Sequence, residues 1–510
     1  MKAIFCGIFL LIFSVSTSIA QSKYWIYFKD KNASESPAVS QKTLQNRAIK
    51  GLPQFDESDL PVNQKYNERL RQLNISPDKN SRWLNAVSAT LTPQQITLVN
   101  QQDYVKEVSP IQPGFYIAQS SRASMAMMAP VMEQVQSDIF KKAGYTGKGI
   151  TIGVIDAGFF GADSSDALRH IFDNQRVQGI RDFVKPDQPG EMLYSVAESF
   201  SDIHGTEVMS AISGIDDEEN VQYGLALNSK FYLARTDYSL REWRGEEDNW
   251  IAALEWMDSL GVRVVNTSLG YAKGFTNPEE NYTPAQMDGK TSAISKAAQI
   301  AADKKGILLI VSAGNEGDDK SWKIVSTPAD AEGVLSVGAT NQRLWTRIGY
   351  SSIGPEFLPY LKPNVSCFSL YGTSLSAPVI TGFAACLMQA QPDLTNKELI
   401  SIIERSAHLY PYGNNFVGYG VPRAARALEL LKDRNLANPN YTVKVKGRNA
   451  EIPVNTNENM IALYRKKNER DVISQQTANV TNGKITLRRQ SGERQTTIDM
   501  KDSVIEVLWE

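Results

Sequence analysis

Gly372-Thr373-Ser374-Leu375-Ser376-Ala377-Pro378 is the stretch from which this chain is read. A serine that attacks a carbonyl needs a base to take its proton and an acid to orient that base. The sequence has only three histidines, His170, His204 and His408. His204 lies in Asp202-Ile203-His204-Gly205-Thr206, just ahead of Val208, Met209 and Ile212 at helical spacing. Upstream, Ile152-Gly153-Val154-Ile155-Asp156-Ala157-Gly158 ends an apolar run on an aspartate. Between the histidine and the serine comes Ser312-Ala313-Gly314-Asn315-Glu316-Gly317. Taken singly, each has an ordinary reading: a serine capping a helix, a structural histidine, an aspartate or asparagine in a turn. Together, in the order Asp156, His204, Ser374, they point to nucleophilic catalysis.

That order and these four segments resemble the subtilisin-like serine proteases, over roughly residues 145 to 430. The resemblance implies an α/β catalytic domain with a mainly parallel sheet flanked by helices. It implies catalytic roles for Asp156, His204, Ser374 and Asn315: orienting acid, general base, nucleophile and oxyanion donor. Val265-Asn266-Thr267-Ser268-Leu269-Gly270 resembles the strand that hydrogen-bonds substrate backbone, so Ser268, Leu269 and Gly270 are candidate substrate-binding residues. Ala313 and Gly314 would form the opposite wall of the pocket before the cut, with Glu316 near its mouth. No buried charge is expected there, which predicts an apolar or uncharged preference. One departure is visible. Lys362-Pro363-Asn364-Val365 runs almost at once into the serine motif, where the family usually has a longer loop bordering the leaving-group side.

Helical and strand patterns extend this picture. Short apolar runs at Ile150–Ile155, Phe231–Ala234, Val262–Val265, Ile307–Ser312 and Val334–Val337 alternate with helical patterns, the mark of a parallel sheet with crossovers. Helices are predicted over Glu247–Leu260, Ser292–Lys304 and Thr381–Gln391, and Thr395-Asn396-Lys397-Glu398 has capping-box spacing. Ser374 is therefore expected near a helix N-terminus, whose unpaired N–H groups favour a developing anion.

The ends read differently. Lys2, the apolar run Ile4–Phe13 and Ser18-Ile19-Ala20 form an export signal over residues 1–20, too short to span a membrane. Residues 21–118 read as a small α+β unit with strands at Tyr24–Phe28, Trp83–Val87 and Tyr104–Val108 and a helix over Thr92–Asn100. The resemblance makes it a prodomain, an intramolecular inhibitor of an enzyme made as a zymogen. Ala118–Pro130 reads as a cleavable linker. The catalytic unit would run over 119–435. From 436 to 510, alternating runs at Thr442–Val445, Met460–Tyr464, Lys484–Leu487 and Ser503–Val507 predict a small all-β module, either a sorting tail or a packing appendage.

A net charge of −2 gives no basis for binding nucleic acid or an anionic membrane. Past the signal only Cys367 and Cys386 remain, too few for a disulfide scaffold, and Cys386 reads as a buried thiol. No cofactor or metal is required by this chemistry. Asp216-Asp217-Glu218-Glu219 reads as a solvated loop, with a structural calcium as the alternative. The expected protein is an exported monomeric endopeptidase acting on polypeptides. A binding module on an inactive scaffold and an esterase using the same triad are the competing readings.

Overall fold

The computed structural model describes residues 22–32, 37, 39–110, 128–216, 221–238, 245–273 and 281–510. The expected export signal, most of the expected linker over 118–130 and Asp217–Glu219 lie outside these residues.

The centre is a seven-stranded sheet: β5 (Thr151–Asp156), β6 (Val177–Asp182), β7 (Lys230–Arg235), β8 (Val264–Thr267), β9 (Leu308–Ser312), β10 (Leu335–Thr340) and β11 (Val365–Phe368). Their order is β11-β10-β9-β8-β5-β7-β6, and every pairing is parallel. The sheet is buried on both faces, so its central strands are apolar on both sides. Ile152 and Val154 of β5 join one core with α4 (His204–Ser213) and α7 (Ser376–Ala390). Ile155 joins a second core with α5 (Gly245–Ser259) and α6 (Ala293–Asp303). The side-chain period of two in a strand sends neighbours to opposite layers.

All five predicted strands form, within a few residues of their expected bounds. β6 and β11 escaped the sequence reading. Both are edge strands; β6 has a mixed burial pattern and β11 is four residues long, so neither makes a clear apolar run. The helical cap at Thr395 is a full capping box with Glu398, opening α8 (Asn396–Ser406).

The N-terminal unit is an antiparallel sheet of β1 (Ser22–Phe28), β2 (Lys79–Ser81), β3 (Ala86–Leu91) and β4 (Val105–Pro110), in the order β2-β3-β1-β4. Three helices accompany it: α1 (Gln41–Ile49), α2 (Gln64–Gln72) and α3 (Pro93–Asn100). The Trp83–Val87 expectation is corrected. The strand begins at Ala86, and Trp83 lies in the preceding turn, where its ring joins the α5–α6 core instead. α1 and α2 were not predicted, because both carry few apolar residues.

This unit grips α5 with charge. Arg47 bonds Asp59 at 2.7 Å and reaches Asp258 at 3.2 Å, and Arg82 reaches Asp258 at 2.9 Å. Lys305, beside α6, returns the favour to Asp59 at 2.8 Å. Lys23 pairs with Asp248 at 2.6 Å, and Ser81 donates to Glu255 at 2.6 Å. Buried charges are tolerated only when paired in this way.

The C-terminal module has a five-stranded sheet of β12 (Tyr441–Val445), β14 (Met460–Lys466), β15 (Val472–Asn479), β17 (Gln495–Asp499) and β18 (Val504–Trp509), ordered β12-β18-β17-β14-β15. A separate pair joins β13 (Asn449–Pro453) to β16 (Lys484–Arg488). Tyr464, Val472 and Val504 of the module share one buried cluster with Leu409 and Val417. His408 seals the joint: Nε2 lies 3.2 Å from Asp499 Oδ2, and Nδ1 accepts from Val421 N at 2.8 Å.

Candidate active site

Asp156 is the last residue of β5 and is fully buried. Its Oδ1 lies 2.7 Å from Nδ1 of His204, the first residue of α4. Oδ1 also accepts from Ala157 N at 2.8 Å, which fixes the carboxylate plane. Burial pushes the His204 imidazole pKa down, but the charge and hydrogen bond of Asp156 outweigh it, with help from Glu207 and Asp237. The net shift is upward from 6.5.

The residues around His204 explain its motif. Gly205 N donates to Gly158 O at 2.9 Å, and a Cβ at Gly205 would overlap that carbonyl and the Phe159 ring. Asp202 accepts from Glu198 N at 2.6 Å and Ser199 N at 2.8 Å, and lies 3.4 Å from the buried Arg235 guanidinium. Arg235 in turn donates to Ala157 O at 3.1 Å. One ion pair thus ties the loop after β5 to the start of α4.

Ser374 sits in a short 3-10 turn, Thr373–Leu375, that leads into α7. Pro378 takes the third position of that helix, where its missing N–H costs nothing. The turn packs against α4. Ser374 Oγ and His204 Nε2 are both buried and make no hydrogen bond within the described residues. A donor and an acceptor are thus left uncommitted beside an oriented imidazole.

Asn315 follows the end of β9. Its Oδ1 accepts from Thr373 N at 2.8 Å. That leaves the amide Nδ2 as its remaining arm, a donor next to the serine turn. Gly314 N donates to Thr373 Oγ1 at 3.0 Å, closing the same junction. Thr373 was not singled out from sequence, yet it joins the Asn315 loop to the serine turn. On the other side, Ser268 Oγ donates to Ser374 O at 2.8 Å and is itself held by Asn266 at 3.1 Å. Thr381 Oγ1 of α7 donates to Asn266 Oδ1 at 2.9 Å. Beyond Thr267 the ladder of β8 stops, and no backbone group of Ser268, Leu269 or Gly270 bonds a described residue. Ala313 and Gly314 face this free edge across Ser326, whose backbone N donates to Ala313 O at 3.2 Å.

The expectation of no buried charge beside the pocket wall is corrected at Glu316. It is 6% exposed, with Oε2 accepting from Asn315 N at 2.9 Å and Ser352 Oγ at 3.0 Å. A buried carboxylate therefore does adjoin the wall formed by Gly314. Asp237 was also missed: it is buried, accepts from Tyr271 OH at 3.1 Å, and burial pushes its carboxyl up to about 7. Nothing in its local sequence marks it. The two cysteines are free and buried, Cys367 Sγ donating to Ser376 O at 3.4 Å. His170 lies in a short helix, Arg169–Asp173.

Comparison with known proteins gives the family of the chain. The Subtilase family (peptidase S8) matches residues 147–420, and the Bacteroidota peptidase S8 propeptide domain matches residues 23–124. Subtilisin DY of Bacillus licheniformis is 27% identical over 282 residues, covering 54% of this chain and 89% of the relative. Subtilisin NAT of Bacillus subtilis subsp. natto is 27% identical over 352 residues, 66% of this chain and 79% of the relative. In fold, the chain is similar to the epidermin leader peptide processing serine protease of Staphylococcus aureus. That match has TM-score 0.53 and 16% identity, and covers 82% of this chain and 100% of that one. It is also similar to fervidolysin of Fervidobacterium pennivorans, with TM-score 0.52 and 17% identity, over 95% of this chain and 70% of that one. With both a catalytic and a propeptide unit matched, this chain belongs to the subtilase family and is a serine-type endopeptidase made as a zymogen.

Proposed function

We propose that Ser374 is the nucleophile of this endopeptidase, His204 its general base, Asp156 the group that orients the base, and Asn315 an oxyanion donor. Ser374 Oγ attacks the scissile carbonyl carbon while His204 Nε2 takes its proton. Asp156 holds Nδ1–H, so that the lone pair of Nε2 faces the serine, and it stabilises the imidazolium that forms. The tetrahedral oxyanion takes a hydrogen bond from Asn315 Nδ2. Collapse breaks the C–N bond, and His204 returns the proton to the leaving amine. Water then attacks the acyl-enzyme by the same route, freeing the acid and restoring Ser374. The substrate backbone adds as a strand along the free edge at Ser268, Leu269 and Gly270, opposite Ala313 and Gly314.

The observation that carries this reading is the 2.7 Å bond from His204 Nδ1 to Asp156, with His204 Nε2 and Ser374 Oγ both unspent. The chemistry draws only on side chains of this chain. We further propose that residues 1–20 direct export, 21–118 form the inhibitory prodomain, 119–435 the catalytic unit and 436–510 an accessory module, and that the enzyme acts as a monomer outside the cytoplasm. A fluorophosphonate tests the site. It is expected to phosphonylate Ser374 alone in the mature enzyme, and labelling that survives Ser374→Ala overturns the assignment.

A further inference from the structure

The C-terminal module meets the catalytic unit along a cleft of about 230 Å³, several times the roughly 30 Å³ share of one water. Arg405, Arg423 and Arg426 line it from the catalytic unit and Lys501 from the module, with Glu429 and Asp502 as its carboxylates. Four cations thus face two acids. Arg405 lies in the last turn of α8, Arg423 stands just before α9 (Ala424–Lys432), and Arg426 is in the first turn of α9. Lys501 sits between β17 and β18.

The two acids do not settle these charges. Arg423 Nη1 lies 3.4 Å from Asp502 and Arg426 Nη1 3.5 Å from Glu429, beyond the about 2.7–2.9 Å of a charge-assisted hydrogen bond. Both carboxylates are largely exposed, so water screens what attraction remains. Lys501 pairs with Glu458 at 2.8 Å. Arg405 is half-buried and makes no hydrogen bond or ion pair with a described residue. Withdrawing a guanidinium from water without an acceptor is costly. Arg426 is held in place by carbonyls instead: Nη2 donates to Ala437 O at 2.6 Å and to Leu436 O at 3.3 Å. Its backbone N bonds no described residue, while Ala424 N and Ala425 N are taken by Val135 O and Gln136 Oε1. An open N–H at a helix start adds to the positive potential of the guanidinium groups. His408 also lines the cleft, but both of its nitrogens are spent, on Asp499 and on Val421 N.

We propose that this cleft binds a doubly charged oxyanion, phosphate or sulfate, free or carried on a larger molecule, with Arg405 as its anchor and Lys501 reaching it from the module. A guanidinium presents paired N–H groups that match two oxygens of such an ion. Two negative charges balance the excess of four cations over two acids. Because its partners come from both units, the bound ion pins the module to the catalytic unit.

Titration calorimetry on the full chain tests this, with inorganic sulfate and inorganic phosphate as probes and sodium chloride holding the ionic strength constant. One ion is expected to bind per chain. Arg405→Gln should weaken binding about 10–100-fold, the scale of a hydrogen bond to a charged group. Lys501→Gln should weaken it as well, and serves alone where Arg405→Gln fails to fold. Arg448→Gln, at an exposed position outside the cleft, should leave it unchanged. A ligand of the native state stabilises the fold, so sulfate should also raise Tm above its value in chloride. No heat with either ion, a Tm no higher than in chloride, or a Kd that neither Arg405→Gln nor Lys501→Gln alters overturns the site. An equal loss in Arg448→Gln also overturns it, since general screening would then account for the binding. Displacement of the ion by dextran sulfate supports a group carried on a larger molecule. Failure to displace it, with sulfate still bound, supports the free ion.

Discussion

Asp156 Oδ1 and His204 Nδ1 lie 2.7 Å apart, where the end of β5 meets the start of α4 in the buried interior. The raised pKa of His204 has two consequences of opposite sign. Only neutral His204 can accept a proton, so activity should fall with acidity along a one-proton curve centred above about 6.5. The shift also means that the protonated form stabilises the fold. That contribution is fully present below the unfolded pKa and is lost as pH rises through the folded value. A pH–rate profile beside thermal melts across pH 5 to 9 checks both. An activity optimum near the carboxylate pKa of about 4 would mean that His204 is not the base.

Asp156→Asn should keep the fold but favour the wrong imidazole tautomer. A loss of about 10⁴-fold in kcat is expected, on the scale of that change in another Ser-His-Asp protease. Steady-state kinetics with a melting curve would check this, and a loss under tenfold would remove Asp156 from the orienting role.

Asn315→Ala should lower kcat by roughly 10²–10³-fold with little change in KM, since the amide meets the oxygen best once charge has developed. That magnitude is the one known for a subtilisin, a relative of this chain. A loss confined to KM would make Asn315 a ground-state binder.

Arg47 should hold the prodomain in place after cleavage. It joins Asp59 and Asp258 at 2.7 and 3.2 Å, and its removal leaves two buried carboxylates short of a partner. Arg47→Ala should weaken the complex by about 3–5 kcal/mol. On size exclusion, the cleaved prodomain is expected to co-elute with the wild-type catalytic unit and to separate from it in the variant. Co-elution in both would show that apolar packing, not this charge network, retains it.

The C-terminal module should unfold with the catalytic unit in one transition. Tyr464, Val472 and Val504 share a core with Leu409 and Val417, and His408 bonds Asp499 across the joint. Tyr464→Ala should lower stability by about 3–5 kcal/mol, lowering the melting temperature of the whole rather than of one part. Two separate calorimetric transitions would contradict a shared core.

The parallel sheet was legible because a strand buried on both faces must be a continuous apolar run, as Leu308–Ser312 is. Asp156, His204, Ser374 and Asn315 stood out in the sequence because each lies in a local motif, and some of the glycines in those motifs answer close backbone contacts, as Gly205 does at Gly158 O. The partners across the fold carried no such mark. Thr373 bonding Asn315, Ser268 bonding Ser374, and Asp237 under Tyr271 are contacts between segments from 34 to 106 residues apart. Glu316 is the sharpest case. Its sequence neighbours said nothing of the bond that its carboxylate accepts from Ser352, 36 residues on. Local propensity and motif determine what a segment can be. Burial and electrostatics depend on which distant segments pack against it, and that is decided only when the chain closes on itself.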